Sequence, residues 1–231
     1  MGRLLGEKKV LITGATGGLG QAVVREFLRE GAALAGVARH WPDAERRDGL
    51  LTVEADLGTP EGAEAAVRAV VERHGRIDAV VHLVGGFAMD GPVEATKVET
   101  WDRMMELNAR SAFLVFRAAL PWMLQAGGGR LLAVGSRAGA EGAPGAAAYA
   151  VSKAALHALV QNMAAELRQK GITVNAVLPG TIDTPANRAA MPKADFGKWV
   201  APEAIAATLA WLASDRAGAT SGALIPVYGL S

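Results

Sequence analysis

The chain contains no cysteine, so disulfide bonds, thiolate catalysis and cysteine-based metal sites are excluded. Its four histidines lack the spacing of metal ligands, and no metal site is expected. An excess of one charge sign is also missing, because the net charge is +1 and acidic and basic residues are interspersed. A nucleic-acid partner and a polybasic membrane surface are therefore not expected.

Long hydrophobic runs are absent as well. No uncharged apolar stretch approaches the roughly 20 residues that a membrane-spanning helix needs. The first residues, MGRLLGEKKVLITGATGG, turn glycine-rich at once and have no long apolar core of the kind found in signal peptides. We therefore expect no membrane association and a cytoplasmic location.

The overall composition is typical of a globular domain. Hydrophobic residues make up 51% of the 231 residues and charged residues 20%, which supports a sizeable core and argues against disorder. The length suits one α/β domain, since such domains often exceed about 150 residues without splitting. We expect residues 1–231 to form a single domain.

Short apolar segments alternate with longer amphipathic segments almost to the end of the chain. The apolar segments are nearly continuous, which indicates strands buried on both faces and hence a parallel sheet covered by helices. This alternation predicts an α/β fold, a Rossmann-type doubly wound parallel sheet of about seven strands flanked by helices. Strands are predicted at 8–14, 33–39, 50–57, 78–84, 130–136, 172–179 and 223–229, and helices at 17–30, 60–74, 98–125, 147–170 and 202–214.

A glycine-rich turn, TGATGGLG, links the first predicted strand to the first predicted helix. Gly14 permits a tight turn, Gly18 lets the backbone approach a pyrophosphate, and Gly20 lets the helix pack closely. The helix N-terminus offers free N–H groups to phosphate. A glycine-rich loop without function is the alternative, but the position in the chain favours dinucleotide binding. The expected contacts are Gly14, Thr16, Gly17, Gly18, Leu19 and Gly20.

Tyr149 and Lys153 are spaced i, i+4 on a predicted helix, so their side chains share one face. A nearby ammonium favours the phenolate and is expected to lower the phenol pKa from its usual value of about 10. The phenol would then transfer a proton near neutral pH. Such pairs also arise by chance, but Ser136 ends a predicted strand where a substrate oxygen would lie. Asn108 is an unfavourable residue inside a predicted helix.

In order and approximate spacing, these motifs resemble the short-chain dehydrogenase/reductase family. The resemblance covers essentially the whole chain and implies an NAD(P)(H)-dependent oxidoreductase that interconverts a small-molecule carbonyl and alcohol. It implies a catalytic tetrad in which Tyr149 is the general acid/base, Ser136 polarises the substrate oxygen, Lys153 tunes Tyr149 and binds the nicotinamide ribose, and Asn108 supports a proton relay. Tyr149 and Lys153 thus also count as cofactor contacts.

The resemblance implies further cofactor contacts at the ends of later strands. Asp56 and Leu57 are similar to the pair that contacts adenine in the family. His82 and Leu83 replace two asparagines of the family pattern, which puts a polar role of the following loop in doubt. The remaining implied contacts are Val84, Gly85 and Gly86 in that loop, and Pro179, Gly180, Ile182 and Thr184 around the nicotinamide carboxamide.

The end of the second predicted strand bears on the choice of cofactor. It carries no acidic residue to bind a ribose 2′-hydroxyl, and Arg39 would pair with a 2′-phosphate. Against this, Gly17 stands where many NADP-using relatives have a basic residue, and Arg39 would otherwise be a solvated loop residue. NADP(H) is favoured and NAD(H) remains possible.

Residues 181–200 lie where relatives place a substrate lid. Within them Met191, Phe196 and Trp199 would line a pocket for an apolar or planar substrate, or would only pack the lid against the body. The segment is also similar to dihydropteridine reductase, a divergent member of the family, so reduction of a quinonoid pterin is an alternative. A non-catalytic cofactor sensor or scaffold is a second alternative, which the intact tetrad disfavours.

Assembly is inferred from the resemblance alone. Members of the family usually form tetramers through the two long helices and the last strand. Small residues at 146–148 and 154–155 and the apolar tail ALIPVYGL would permit close packing of this kind. We expect a homo-oligomer, a tetramer or a dimer.

Overall fold

The computed structural model describes residues 3–42 and 49–230. Within them, seven parallel strands form one sheet in the order β3-β2-β1-β4-β5-β6-β7. This confirms the predicted fold class. The strands are β1 Lys9–Thr13, β2 Ala33–Ala38, β3 Leu50–Glu54, β4 Ala79–His82, β5 Gly129–Val134, β6 Ile172–Pro179 and β7 Leu224–Val227.

Eight α-helices connect or follow these strands in the described part of the chain. They are α1 Gly18–Arg29, α2 Pro60–His74, α3 Val98–Met105, α4 Ser111–Gln125, α5 Arg137–Glu141, α6 Ala147–Leu167, α7 Pro185–Ala190 and α8 Pro202–Ala213. Helices α5 and α7 were not predicted, because each spans fewer than two turns and shows no usable periodicity. The predicted helix 98–125 is divided by a π-helical turn, Glu106–Arg110.

The helices cover both faces of the sheet, and each layer has its own apolar core. On one face, α2, α4 and α6 pack against the sheet through buried residues such as Val70, Phe116 and Leu156. On the other face, α1 and α8 pack through residues such as Phe27 and Leu209. Burial on both faces explains why β6 is apolar and buried along almost its whole length. No helix of residues 3–42 and 49–230 is long and apolar enough to cross a membrane.

The strand order reverses between β1 and β4, which are neighbours in the sheet although two strands separate them in the chain. The connections after β1 and β4 therefore leave in opposite directions and open a crevice at the carboxyl ends of the strands. Every motif identified in the sequence follows the end of a strand or lies on a helix beside it. The fold thus brings the motifs to one edge of the sheet.

Candidate active site

A cleft of about 680 Å³ opens where the strand order reverses. Eight of the expected cofactor contacts line it: Gly14, Thr16, Gly17, Arg39, Asp56, Leu57, Val84 and Gly85. Glu106, Leu107, Arg110 and Ser111 also line it, and sequence reasoning missed them. They belong to the π-helical turn and the start of α4, whose approach to the cleft depends on tertiary packing. Gly18, Leu19, Gly20 and Gly86 are not among the lining residues.

The glycine-rich turn has the backbone features that phosphate binding requires. Gly14 adopts a φ of 67°, a left-handed conformation that disfavours other residues. Gly17 precedes α1, and no side chain caps that helix. The first N–H groups of α1 are thus left to a ligand or to solvent. A Cβ on Gly20 would lie 2.1 Å from the Gly14 carbonyl oxygen, so this glycine is needed for packing of the helix on the turn.

The neighbouring wall of the cleft holds the residues that the sequence predicted for the adenosine end of a cofactor. Arg39 directly follows β2 and is exposed. Asp56 is exposed as well, and its Oδ1 accepts a hydrogen bond from the Gly58 N–H at 3.0 Å. The guanidinium of Arg110 donates to the Gly58 carbonyl at 2.7 Å and so ties this loop to the π-helical turn. The cleft wall is therefore built from three separate segments of the chain.

His82 ends β4 and is fully buried within a chain of hydrogen bonds. The Leu83 N–H donates to Thr13 Oγ1 at 3.1 Å, and Thr13 Oγ1 lies 3.1 Å from His82 Nδ1. On the other side of the ring, Nε2 lies 3.0 Å from Ser111 Oγ, which donates to the Leu107 carbonyl at 2.7 Å. Because Thr13 and Ser111 have these fixed partners, the proton of the neutral ring sits on Nε2. Burial, with a smaller effect of Lys153, lowers the pKa of His82 to about 3.

Asn108 lies in the π-helical turn and is completely buried. Its amide bonds the Gly86 backbone twice, accepting from the N–H at 2.9 Å and donating to the carbonyl at 3.0 Å. The same amide nitrogen lies 3.0 Å from Ser152 Oγ on α6. The side chain therefore joins the loop after β4 to α6. A Cβ on Gly85 would lie 2.7 Å from Asn108 Oδ1 and 3.2 Å from Lys153 Nζ, so only glycine fits between them.

Lys153 is buried on α6, and its ammonium donates to the Val134 carbonyl at 2.8 Å. Burial lowers the pKa of Lys153 to about 8. Ser136 follows β5, and its Oγ accepts from the Ala138 N–H at 3.2 Å, which caps α5. Ser136 and Tyr149 line the same cleft, and the serine hydroxyl lowers the pKa of the phenol. Three of the four tetrad residues thus meet at the end of β5.

The pKa of Tyr149 departs from the sequence expectation. Burial of the phenol raises it, and the hydrogen bond from Ser136 lowers it by less. The expected lowering by Lys153 is wrong for this state of the protein, because the ammonium is directed to the Val134 carbonyl. Tyr149 is therefore a protonated phenol at neutral pH.

A second cleft of about 570 Å³ surrounds Ser136 and Tyr149. Its other lining residues include the expected contacts Pro179, Gly180, Ile182 and Met191, together with Phe87, Arg137, Glu141 and Asn187, which sequence reasoning missed. The Phe87 ring packs edge-on against Tyr149, with ring centroids 4.9 Å apart. Phe87 could have been found from the sequence, because it is an aromatic residue directly after Gly85 and Gly86, which were expected to contact the cofactor.

Two lid residues do not line this cleft. Phe196 and Trp199 pack against each other with ring centroids 4.8 Å apart, and the Arg188 guanidinium lies over the Phe196 ring. Their expected place in the cleft is not seen, and they pack within the segment 181–200 instead. Thr184 also has a structural partner, because its Oγ1 accepts from the Asn187 N–H at 3.2 Å and caps α7.

Comparison with known proteins agrees with this geometry. The family model described as short chain dehydrogenase matches residues 8–195. The 3-oxoacyl-(acyl-carrier-protein) reductase of Vibrio cholerae is 31% identical over 96% of each chain. The 2-(S)-hydroxypropyl-CoM dehydrogenase 3 of Xanthobacter autotrophicus is 32% identical over 99% of this chain and 98% of its own.

Solved structures give the same result. A short-chain type dehydrogenase/reductase from Mycobacterium ulcerans superimposes with a TM-score of 0.90 and 29% identity, covering 97% of this chain and 90% of its own. The relatives are named reductases and dehydrogenases that act on alcohol or carbonyl groups. This protein therefore belongs to the short-chain dehydrogenase/reductase family and is an oxidoreductase of that family.

Proposed function

We propose that this protein reduces a small-molecule carbonyl to an alcohol, or the reverse, with a nicotinamide dinucleotide cofactor and with Tyr149 as the proton-transfer group. The observation that carries the proposal is that Ser136 and Tyr149 line one cleft, with the buried Lys153 one helical turn further along α6. The bound cofactor supplies or accepts the hydride. The protein orients the reactants and handles the proton.

The tetrad residues divide this work. Tyr149 is protonated at neutral pH, since a phenol has an ordinary pKa of about 10 and burial raises it further. This is the form needed to donate a proton during reduction. Ser136 has a hydroxyl beside the phenol, where it hydrogen-bonds the substrate oxygen and stabilises charge that develops there. Lys153 is mostly charged at neutral pH, since its pKa of about 8 still lies above 7. Its ammonium favours any phenolate that forms.

Asn108 acts through the structure around it. Its amide hydrogen-bonds Gly86 and Ser152, so the local backbone of the π-helical turn is the better candidate for a proton relay than the side chain. π-Helical turns interrupt the regular backbone ladder and are frequent at functional sites. The Asn108 side chain also lies so close to Gly85 that the backbone of this loop stays free of side chains there. A loop without side chains at this place supports a role at the cofactor ribose.

NADP(H) is the cofactor that we favour, with NAD(H) as the alternative. Arg39 is an exposed cation at the cleft wall, directly after β2, and no acidic residue ends that strand. A guanidinium in this place would pair with a 2′-phosphate in bidentate fashion. The uncapped N-terminus of α1 and the left-handed Gly14 support binding of the pyrophosphate.

The second cleft combines apolar walls with polar groups, which suits a carbonyl compound that carries an amide- or acid-like function. Phe87 and Met191 provide apolar surface. The polar surface comes from Arg137, which is paired with Glu141 at 2.7 Å, and from Asn187, whose amide donates to the Ile182 carbonyl. Relatives named for 3-oxoacyl and acetoacetyl thioesters make acetoacetyl-CoA the first substrate to test. We also propose that residues 181–200 form a lid over this cleft.

The test is a reductase assay with NADPH and with NADH against acetoacetyl-CoA, simple ketones, diketones and a quinonoid dihydropterin. Turnover of a ketone or thioester that is lost in the Tyr149→Phe variant, with cofactor binding retained, supports the proposal. If only the quinonoid dihydropterin is turned over, the proposed activity on carbonyl compounds is wrong and the protein is a pterin reductase. Binding of NADPH without turnover of any compound would favour a cofactor sensor.

We also propose that the protein forms a homo-oligomer, either a dimer or a tetramer. Large apolar side chains are exposed on α4 and α6, including Phe113, Trp122 and Val151. Exposed apolar surface on two long helices is typical of protein–protein contacts. Light scattering coupled to size-exclusion chromatography measures the state, and a monomer at micromolar concentration would overturn this part.

A further inference from the structure

Helix α6 carries a third polar residue on the face that bears the tyrosine and the lysine. Tyr149, Lys153 and His157 follow one another at i, i+4 and i+8, so they lie in a row along the helix. All three lie near the end of β5. Tyr149 lines a cleft together with Ser136, Lys153 donates to the Val134 carbonyl, and His157 accepts from the Ser136 N–H. The first two belong to the proposed mechanism, and the third has no role in it.

The His157 contact is a hydrogen bond from the Ser136 backbone. The Ser136 N–H donates to His157 Nε2 at 3.3 Å, and the imidazole is 5% exposed. Burial and the nearby Lys153 lower the pKa of His157 to about 4, so the ring is neutral at pH 7. Because Nε2 accepts this bond, the ring proton sits on Nδ1.

The imidazole is also fixed by its surroundings. A Cβ on Gly135 would lie 2.3 Å from His157 Nε2, and a Cβ on Gly139 would lie 2.8 Å from Cε1. Neither glycine has a positive φ, so the backbone conformation does not require glycine at these positions. At Gly135 the histidine ring takes the space that a Cβ would need, and at Gly139 the ring and the Lys153 carbonyl carbon, both at 2.8 Å, take it together. Gly135, directly before Ser136, is therefore adapted to this imidazole.

We propose that His157 is a positioning residue that fixes Ser136, through its backbone N–H, in the cleft that the serine hydroxyl shares with the Tyr149 phenol. This rests on the proposed function only for its effect on turnover, because the geometry itself needs no substrate. Without the His157 imidazole, the Ser136 N–H has no acceptor, and the position of the Ser136 hydroxyl relative to the Tyr149 phenol is no longer fixed. The hydrogen bond that favours the phenolate then weakens.

A spectroscopic titration tests this without any substrate. The chain has two tyrosines, so in a Tyr228→Phe background the absorbance of tyrosinate reports Tyr149 alone. His157→Leu should move the Tyr149 titration to higher pH, because the bond from Ser136 lowers the pKa of this phenol. In His157→Gln the amide oxygen can accept at the position of Nε2, so the Tyr149 titration should return to its wild-type pH. His74→Leu, the same change at a histidine in α2, is the matched control and should leave it unmoved.

A double-variant cycle shows whether the effect passes through Ser136. Ser136→Ala should raise the titration midpoint by itself, and adding His157→Leu should then change nothing further. Additive shifts would overturn the proposal, and so would an unmoved midpoint in His157→Leu. If His157→Leu does not fold, His157→Asn takes its place, because its shorter amide cannot reach the Ser136 N–H.

Kinetics provide the second measurement. With acetoacetyl-CoA and NADPH, His157→Leu should lower kcat about 10- to 100-fold, since small displacements of catalytic groups cost this much. The KM for NADPH should stay near the wild-type value, and His157→Gln should recover most of kcat. A lower melting temperature with unchanged kcat would assign His157 a structural role only. A shifted titration in a protein that reduces nothing would retain the positioning role and reject the proposed reductase activity.

Discussion

Mild acid should destabilise this protein through two buried histidines well before its carboxylates titrate. His82 has a pKa of about 3 and His157 a pKa of about 4 in the folded chain, against about 6.5 for an unperturbed histidine. A lowered histidine pKa means that the unfolded chain binds protons that the folded chain does not. The stability that these groups contribute is complete above pH ~6.5 and is lost progressively as the pH falls toward the folded values.

The magnitude follows from the size of the shifts. A pH of about 5.5 is roughly one unit below the pKa of a histidine in the unfolded chain, so both histidines are mostly protonated there. In the folded chain both stay mostly neutral at this pH. One unit corresponds to about 1.4 kcal/mol, so the two together cost about 3 kcal/mol between pH ~8 and ~5.5. This is a large part of the roughly 5–15 kcal/mol that is typical of a folded domain.

The assay is urea unfolding followed by tryptophan fluorescence at a series of pH values. His82→Asn removes one titrating group and keeps a donor and an acceptor at the end of β4. We expect this variant to lose only about half as much stability over the same pH interval, whatever its stability at pH ~8. His40→Asn, at an exposed histidine, is the control and should behave as the wild type. A His82→Asn protein with the full wild-type pH dependence would refute the reasoning.

Three other predictions concern the site. Tyr149→Phe should lower kcat by about 10²–10⁴-fold and leave NADPH affinity intact, as measured by steady-state kinetics and fluorescence titration; full activity would reject the proposed acid. Arg39→Ala should raise the KM for NADPH about tenfold or more and that for NADH by less than about twofold, and equal changes would remove the argument for NADP. Gly85→Ala should abolish turnover, because its Cβ would meet Asn108 and Lys153, whereas Gly17→Ala has more room and should be milder.

Much of the site could be predicted because its signals are local. Pro60–His74 and Ile172–Pro179 have the predicted bounds, since proline, glycine and apolar runs mark their ends within the segment itself. The i, i+4 spacing was sufficient to predict that Tyr149 and Lys153 share one helix face. The glycine-rich turn was likewise identified by its position between a strand and a helix.

Other features depend on which segments meet. Arg110 and Glu106 reach the cofactor cleft because a π-helical turn and α4 pack beside the loop after β4, and no local pattern indicates that approach. The pKa of Tyr149 went in the direction opposite to expectation, because burial outweighs hydrogen bonding and Lys153 has a carbonyl partner. Phe196 and Trp199 pack against each other instead of lining the cleft around Ser136 and Tyr149.

By itself the sequence determined the order of strands and helices along the chain, the glycine-rich turn and the family. Hydrophobic periodicity, turn residues and short-range spacing are all local properties of the chain. The tertiary structure alone decided that His157 accepts from Ser136, that His82 joins Thr13 to Ser111, and that Phe87 lies against Tyr149. Each of these contacts joins residues far apart in the chain, and only the packing of helices on the sheet brings them together.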